Sequence, residues 1–168
     1  MDLLQLMSDR YSVRSFTDQA VEEDKIEKIL QAARLAPTAC NKQPQRILVL
    51  KDKEDLEKWQ KCTVCHFNEQ LVILVCYDKD QCWKREYDGQ NSGYVDASIV
   101  LTHMMLEATS LGIGSTWVMY FIPDAVRKEY NLPDNIEAVG ALTMGYASEK
   151  SAPSAQHNSR KNVDEILF

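Results

Sequence analysis

Apolar positions along the chain change period several times, and each change marks an element. Leu3, Leu4, Leu6 and Met7 predict a short apolar helix ending near Arg10. Val21 to Leu35 predicts an amphipathic helix, with Ile26, Ile29, Leu30 and Ala33 at i, i+3, i+4 and i+7. Glu22, Glu23 and Asp24 fall in its first turn, where the helix dipole favours negative charge, and Pro37 stops it. Arg46 to Lys51 is a β-branched and apolar run that predicts a strand. Lys53 to Lys61 predicts a polar helix with Leu56 and Trp59 facing inward. Leu71 to Tyr77 is apolar at every residue, as in a strand buried on both faces. Gln81 to Gly93 is polar and contains glycine, which predicts a mobile loop.

The stretch Tyr94 to Leu111 departs from this amphipathic pattern. Val95, Ala97, Ile99, Val100, Leu101, Met104, Met105, Ala108 and Leu111 make it apolar nearly all round. Such a helix must be buried on most sides, and a large subunit interface is one way to bury it. Gly112 stops it. Ser115 to Phe121 predicts a strand, Pro123 opens a short helix to Tyr130, and Glu137 to Tyr146 predicts the last strand. The tail from Ala147 is polar and ends in a helical or extended NVDEILF. Helices and strands interleave, so the class is α+β or α/β. No repeat, low-complexity tract or linker divides residues 1–168, which read as a single domain of 168 residues.

Composition adds exclusions. Lys+Arg 19 against Asp+Glu 25 gives a net charge of −6, which argues against nucleic acid as a partner but allows a local basic pocket. No secretory signal or membrane-length apolar run is visible, so the expected location is cytoplasmic, with no membrane partner. The five cysteines, Cys40, Cys62, Cys65, Cys76 and Cys82, are expected to be reduced. Neither a dinucleotide-binding G-x-G-x-x-G nor a phosphate-binding G-x-x-x-x-G-K-[ST] occurs, and Gly112-Ile113-Gly114-Ser115 is not a nucleophile elbow.

Three constellations could carry chemistry. Arg10-Tyr11-Ser12-Val13-Arg14-Ser15 sets two guanidinium groups and a hydroxyl at alternating positions. They suit phosphate or carboxylate oxygens, or they are two solvated arginines on a loop. Ala36-Pro37-Thr38-Ala39-Cys40-Asn41-Lys42-Gln43-Pro44 offers amide donors and acceptors for the edge of a heterocycle, or is a polar turn between prolines. Cys62-Thr63-Val64-Cys65-His66 has the C-x-x-C-H spacing of haem attachment. Haem, zinc and a redox dithiol stand beside the plainer reading of two reduced cysteines and a loop histidine.

Taken in order, the pieces resemble the nitroreductase family of FMN-dependent NAD(P)H oxidoreductases, in a short form. The resemblance rests on Arg10-x-Ser12-x-Arg14, then Ala32-Ala33-Arg34-Leu35-Ala36-Pro37-Thr38, then Asn41-x-Gln43-Pro44. It continues through Asp96-Ala97-Ser98, Leu111-Gly112-Ile113-Gly114-Ser115-Thr116-Trp117 and Arg160-Lys161. It implies an α+β fold with a central antiparallel-rich sheet flanked by helices. It also implies an intertwined homodimer with FMN at the interface.

Residue by residue, the resemblance implies that Arg10 and Ser12, with Tyr11 between them, hold the FMN phosphate and ribityl chain. Arg160 and Lys161 would close that site. Arg14 would be the catalytic cation, near N1 and O2 of the ring. Pro37, Thr38, Ala39, Asn41 and Gln43 would come from the other subunit and line the ring. Trp117, Met119 and Tyr120 would pass one face, with a main-chain N–H at Met119 or Tyr120 reaching N5, and Asn68 would stand at the flavin edge. The implied activity passes hydride from NAD(P)H through flavin N5 to a small acceptor, such as a nitroaromatic or quinone, in two steps. A flavin-binding member without turnover, a flavin-fragmenting or dehalogenating member, and a haem or metal protein on Cys62, Cys65 and His66 are the alternatives. The chain departs from the family pattern at Cys40, Gln45 and Met119-Tyr120, which border the substrate side.

Overall fold

The computed structural model describes residues 2–168. Its elements in chain order are α1 (Leu3–Asp9), α2 (Glu23–Leu35), β1 (Gln45–Leu50), α3 (Lys53–Cys62), β2 (Leu71–Asp78), α4 (Gly93–Ser110), β3 (Gly114–Val118), α5 (Pro123–Glu129) and β4 (Ile136–Gly145). Single 3-10 turns lie at Ala39–Asn41 and Val163–Ile166.

The four strands form one sheet in the order β1-β2-β4-β3, and every pairing is antiparallel. The class is therefore α+β with a central antiparallel sheet. Helices cover both faces. Ile29 and Ala33 of α2 and Val100, Leu101 and Met104 of α4 pack with Leu71, Ile73, Val75 and Leu142 on one face. Trp59 of α3 and Val126 of α5 pack with Val72, Leu74, Cys76 and Ala141 on the other. This explains why β2 is apolar at consecutive positions: all eight of its residues are buried. At about 1.5–3 kcal/mol for each buried aliphatic side chain, the two central strands anchor the core.

One expectation needs correction. The strand expected over Ser115 to Phe121 ends at Val118. Beyond it Phe121 donates its N–H to Met119 O at 3.0 Å, a tight turn that lifts Met119 and Tyr120 off the sheet. Within one chain α4 is mostly buried or half-buried, with Tyr94, Val95, Thr102 and Ser110 exposed. Tyr94 and Val95 (58% exposed) lie open, and so do Leu3, Leu4 and Met7 of α1. The apolar pattern of α4 thus exceeds what this single chain covers. Among the described residues, no helix is long and apolar enough to cross a membrane.

Candidate functional site

The segment after α1 is laid against the sheet edge. Ser12 forms a parallel bridge with Ser115 of β3, and Val13 donates its N–H to Ser115 O at 3.0 Å. The Thr116 hydroxyl donates back to Val13 O. Such close approach needs Gly114, where a Cβ would sit 2.8 Å from Val13 Cγ2. Further on, Phe16 bridges Ala147 and donates its N–H to Phe67 O at 3.0 Å. Residues 10–16 are thus held at several points, with Val13 and Phe16 buried and Arg14 exposed. Arg10 and Tyr11 border a crevice of about 190 Å³ whose other walls include Thr109, Ser115 and Ala147.

The tail returns to the same place. Ser148 donates its N–H to Ser15 O at 3.0 Å, and the two serine hydroxyls lie 2.7 Å apart. His157 meets the edge of Tyr11 with ring centroids 6.3 Å apart. Arg160 and Lys161, both exposed, follow only three and four residues beyond that contact.

The segment Pro37 to Gln43 lies elsewhere. Cys40, Asn41 and Gln43 all have positive φ, at 49°, 51° and 49°. For residues other than glycine such a conformation costs about 1–3 kcal/mol each and persists only where surrounding bonds impose it. Here Gln43 donates its N–H to Thr38 Oγ1 at 3.0 Å, and Ala39 donates its N–H to Asp96 Oδ1 at 2.9 Å. The second oxygen of Asp96 accepts from the Ser92 hydroxyl at 2.7 Å. Asp96 belongs to the first turn of α4 and is 2% exposed. Thr109, which walls the Arg10 crevice, belongs to the last turn, roughly 20 Å away along the helix axis at 1.5 Å per residue.

Asn68 also has a left-handed backbone, at φ 61°. Its amide donates to Phe16 O at 3.2 Å and Asp18 Oδ1 at 2.9 Å, which places it beside the Arg10–Phe16 segment. The Trp117 indole crosses the sheet face against Gly140, where a Cβ would stand 2.5 Å from its Nε1. That nitrogen is buried without a partner. Met119 and Tyr120 (75% exposed) present themselves at the surface, with Tyr120 O fixed by the Thr63 hydroxyl at 2.5 Å. A more apolar cavity of about 450 Å³ opens beside them, between Cys62, Val64, His66, Phe121 and Ile122.

The C-x-x-C-H run does not present a ligand set. His66 Nε2 lies 2.7 Å from Thr63 O and 3.1 Å from Gln60 O, so it donates to main-chain carbonyls. Burial pushes the Cys62 thiol pKa up, and the thiol donates to Lys58 O at 3.3 Å. Among the described residues, no group of three or more His, Cys, Asp or Glu is placed to hold a metal ion.

Sequence reasoning assigned no role to Asp96, Thr63 or the Ser115 hydroxyl. A lone carboxylate in an otherwise apolar helix was the available signal for Asp96. The other two depend on tertiary contacts.

The chain resembles known proteins along nearly its whole length. A curated protein of Archaeoglobus fulgidus, described provisionally as an NADH dehydrogenase/NAD(P)H nitroreductase, is 32% identical over 98% of this chain and 96% of its own. A crystal structure of a nitroreductase family protein from Clostridium difficile 630 superposes with a TM-score of 0.94 at 44% identity, covering 100% of this chain and 98% of that one. An FMN-dependent nitroreductase from Clostridium difficile R20291 gives 0.80 at 26% identity, with 98% of both chains covered. Residues 7–72 and 67–146 match the Nitroreductase family, and with the antiparallel sheet, the held Arg10–Phe16 segment and these relatives, the chain belongs to that family of oxidoreductases.

Proposed function

We propose that two copies of this chain bind FMN between them and pass hydride from NAD(P)H to a small acceptor, such as a nitroaromatic or a quinone. The observation that carries this reading is the division of the candidate residues between the two ends of α4. Arg10 and Tyr11 border the crevice at the C-terminal end, with Ser12 bridged to Ser115, whereas Ala39 is tied to Asp96 and Gln43 to Thr38 at the N-terminal end. One copy cannot bring both groups to a single ligand across roughly 20 Å of helix. Two antiparallel copies can, and pairing would also cover the open apolar residues Tyr94, Val95, Leu3, Leu4 and Met7.

The residues fit a flavin nucleotide. Arg10, Ser12, Arg160 and Lys161 suit the phosphate, since guanidinium groups take its oxygens as paired acceptors. Ser115 also lines the crevice that Arg10 borders. Thr38, Asn41 and Gln43 offer the donors and acceptors that a heterocycle edge requires. When bound, FMN supplies hydride acceptance and donation at N5. Arg14, exposed on a segment held at Ser12 and Phe16, stabilises negative charge on the ring as a fixed cation. Met119 and Tyr120 shape the acceptor side, and the adjoining apolar cavity excludes water there. No acid–base pair or nucleophile is needed. That accords with the absence of such a constellation in the sequence.

The visible spectrum of the purified protein tests this. The expected result is the bands of oxidised flavin, bleached by NADH or NADPH without oxygen and restored by menadione or a nitrofuran. A dimeric mass in light scattering should accompany them. Flavin bands that never bleach would identify a binding protein without turnover. A colourless monomer that takes up no added FMN would overturn the reading.

A further inference from the structure

The segment between β2 and α4 is cross-braced. Lys84 pairs with Asn91 in an antiparallel bridge, Arg85 donates its N–H to Gln90 O at 2.9 Å, and Ser92 donates its N–H to Trp83 O at 2.9 Å. The tip turns through Gly89, at φ 73°. Arg85 closes it from the side, with Nε and Nη2 donating to the two carboxylate oxygens of Asp88 at 2.9 and 2.6 Å. The buried Cys82 donates its thiol to Asp78 O at 3.2 Å and fixes the near end. These bonds hold the backbone of Trp83, whose side chain remains open to the surface, at 37% exposure.

Trp83 walls a cavity of about 360 Å³ together with Ala39 and with Val95 and Ile99 of α4. Val95 and Ile99 are four residues apart, so they share one face of the helix. The charged groups on the wall are Arg85 and Asp96, and both are spent. Arg85 is paired with Asp88, and Asp96 accepts from the Ala39 N–H and the Ser92 hydroxyl. A charged ligand would find no free counter-ion here and would lose its hydration. An uncharged, flat ligand meets an indole and two branched aliphatic side chains. Ligand pockets begin at about 300 Å³, so this volume suits one or two fused rings.

Ala39 gives the cavity its place. It belongs to Pro37–Gln43, the segment assigned above to the ring of the flavin, and its N–H is tied to the first turn of α4. The partner copy that covers Val95 brings its own flavin to the same segment.

We propose that Trp83 is a specificity-determining residue for the electron acceptor: its indole, with Val95 and Ile99, receives an uncharged planar acceptor of one or two fused rings beside the flavin that the partner copy holds. This rests on the flavin reading above and adds to it the chemical class of the acceptor and a residue that selects it.

The test is isothermal titration calorimetry of the oxidised holoprotein with menadione, without nicotinamide, so that binding is read without turnover. Wild type, Trp83→Ala, Trp83→Leu and Trp83→Phe are compared. Trp83→Ala should weaken menadione binding roughly 10-fold, the effect of losing an aromatic contact, and Trp83→Phe should retain most of the affinity. Trp83→Leu keeps bulk without the ring and should fall below Trp83→Phe; it decides the matter if Trp83→Ala does not fold. The kcat/KM for menadione should fall by the same factor as the affinity. Flavin fluorescence titration should give equal FMN affinity in all four, and light scattering an equal dimeric mass. Wild type should bind 1,2-naphthoquinone-4-sulfonate, a two-ring quinone with a fixed negative charge, more weakly than menadione. Equal menadione affinity in wild type and the Ala and Leu variants would overturn the assignment and leave the flavin reading standing. So would an equal loss of menadione and FMN affinity or a loss of the dimer, which would make Trp83 a packing residue of the interface. Tighter binding of the sulfonate would overturn the uncharged class. Failure of the wild type to bind FMN would overturn the flavin reading itself, and the assignment with it.

Discussion

The buried carboxylate of Asp96 accepts the main-chain N–H of Ala39 at 2.9 Å and so ties the Pro37–Gln43 segment to the start of α4. Its other oxygen is taken by Ser92 at 2.7 Å. These bonds oppose the left-handed strain at Cys40, Asn41 and Gln43. Asp96→Ala leaves the half-buried Ala39 N–H and the buried Ser92 hydroxyl unpaired, so it should destabilise the protein by about 1–3 kcal/mol. It should also weaken FMN binding, because the ring-lining segment loses its tether. Asp96→Asn keeps an acceptor for Ala39 and should retain most of both. Urea unfolding and flavin titration check the pair; an Asp96→Ala protein with native stability and native FMN affinity would exclude the tether.

Arg14 is exposed, and its position comes from the fixed backbone on either side rather than from its own bonds. Its Nη1 lies 3.4 Å from Ser12 O, a weak contact. Arg14→Ala should therefore leave the fold and melting temperature within the range of ordinary surface substitutions, about 0.5 kcal/mol either way. In the holoprotein it should lower the flavin reduction potential and slow reduction by NAD(P)H, with Arg14→Lys in between. Spectroelectrochemistry and stopped-flow reduction measure the two effects. An unchanged potential with an unchanged rate would remove Arg14 from the catalytic role.

Burial gives the protein a steep alkaline limb. Cys76 and Tyr77 in β2 each have a pKa pushed up to about 12, chiefly by desolvation. In the unfolded chain they ionise near 9 and 10, so between those values and about 12 the folded state holds protons that the unfolded state has lost. Stability is then full below about pH 9 and falls as pH rises toward 12. Cys76→Ala should cost stability at pH 7 through the lost side-chain volume, but its melting temperature should decline less between pH 9 and 11. Parallel alkaline limbs for wild type and variant would show that Cys76 does not contribute.

Much of the fold is legible in the sequence because local pattern and tertiary placement agree. The i, i+3, i+4, i+7 spacing of Ile26, Ile29, Leu30 and Ala33 gives α2, and the unbroken apolar run of Leu71 to Tyr77 gives the strand covered on both faces. The end of β3 is less legible. Val118 to Ile122 is uniformly apolar, and only the turn that Phe121 makes onto Met119 O shows where the ladder stops. The candidate site is legible as a set of motifs and not as a place. Nothing in the spacing of Arg10 and Asn41 says that they stand at opposite ends of one helix. The tail meets the N-terminal segment where Ser148 bonds Ser15 and His157 touches Tyr11, contacts that no local pattern announces. Ser115 escapes notice because an unpaired hydroxyl is a property of packing.

If each flavin takes Arg10 from one copy and Asn41 from the other, subunits with different defects can complement. Arg10→Ala should abolish the phosphate contact in both sites of its homodimer, and Asn41→Ala the ring contact in both sites of its own. Mixed by unfolding and refolding at equal concentration, random pairing makes half of the dimers heterodimers. In each heterodimer one site collects both substitutions, and the other carries the native Arg10 and the native Asn41. About a quarter of all sites should then regain native FMN affinity and turnover, as two-fold symmetry of the interface requires. Flavin occupancy and NADPH oxidation before and after mixing measure this. Recovery no greater than the sum of the separately refolded variants would place Arg10 and Asn41 in the same copy's site, against their separation along α4.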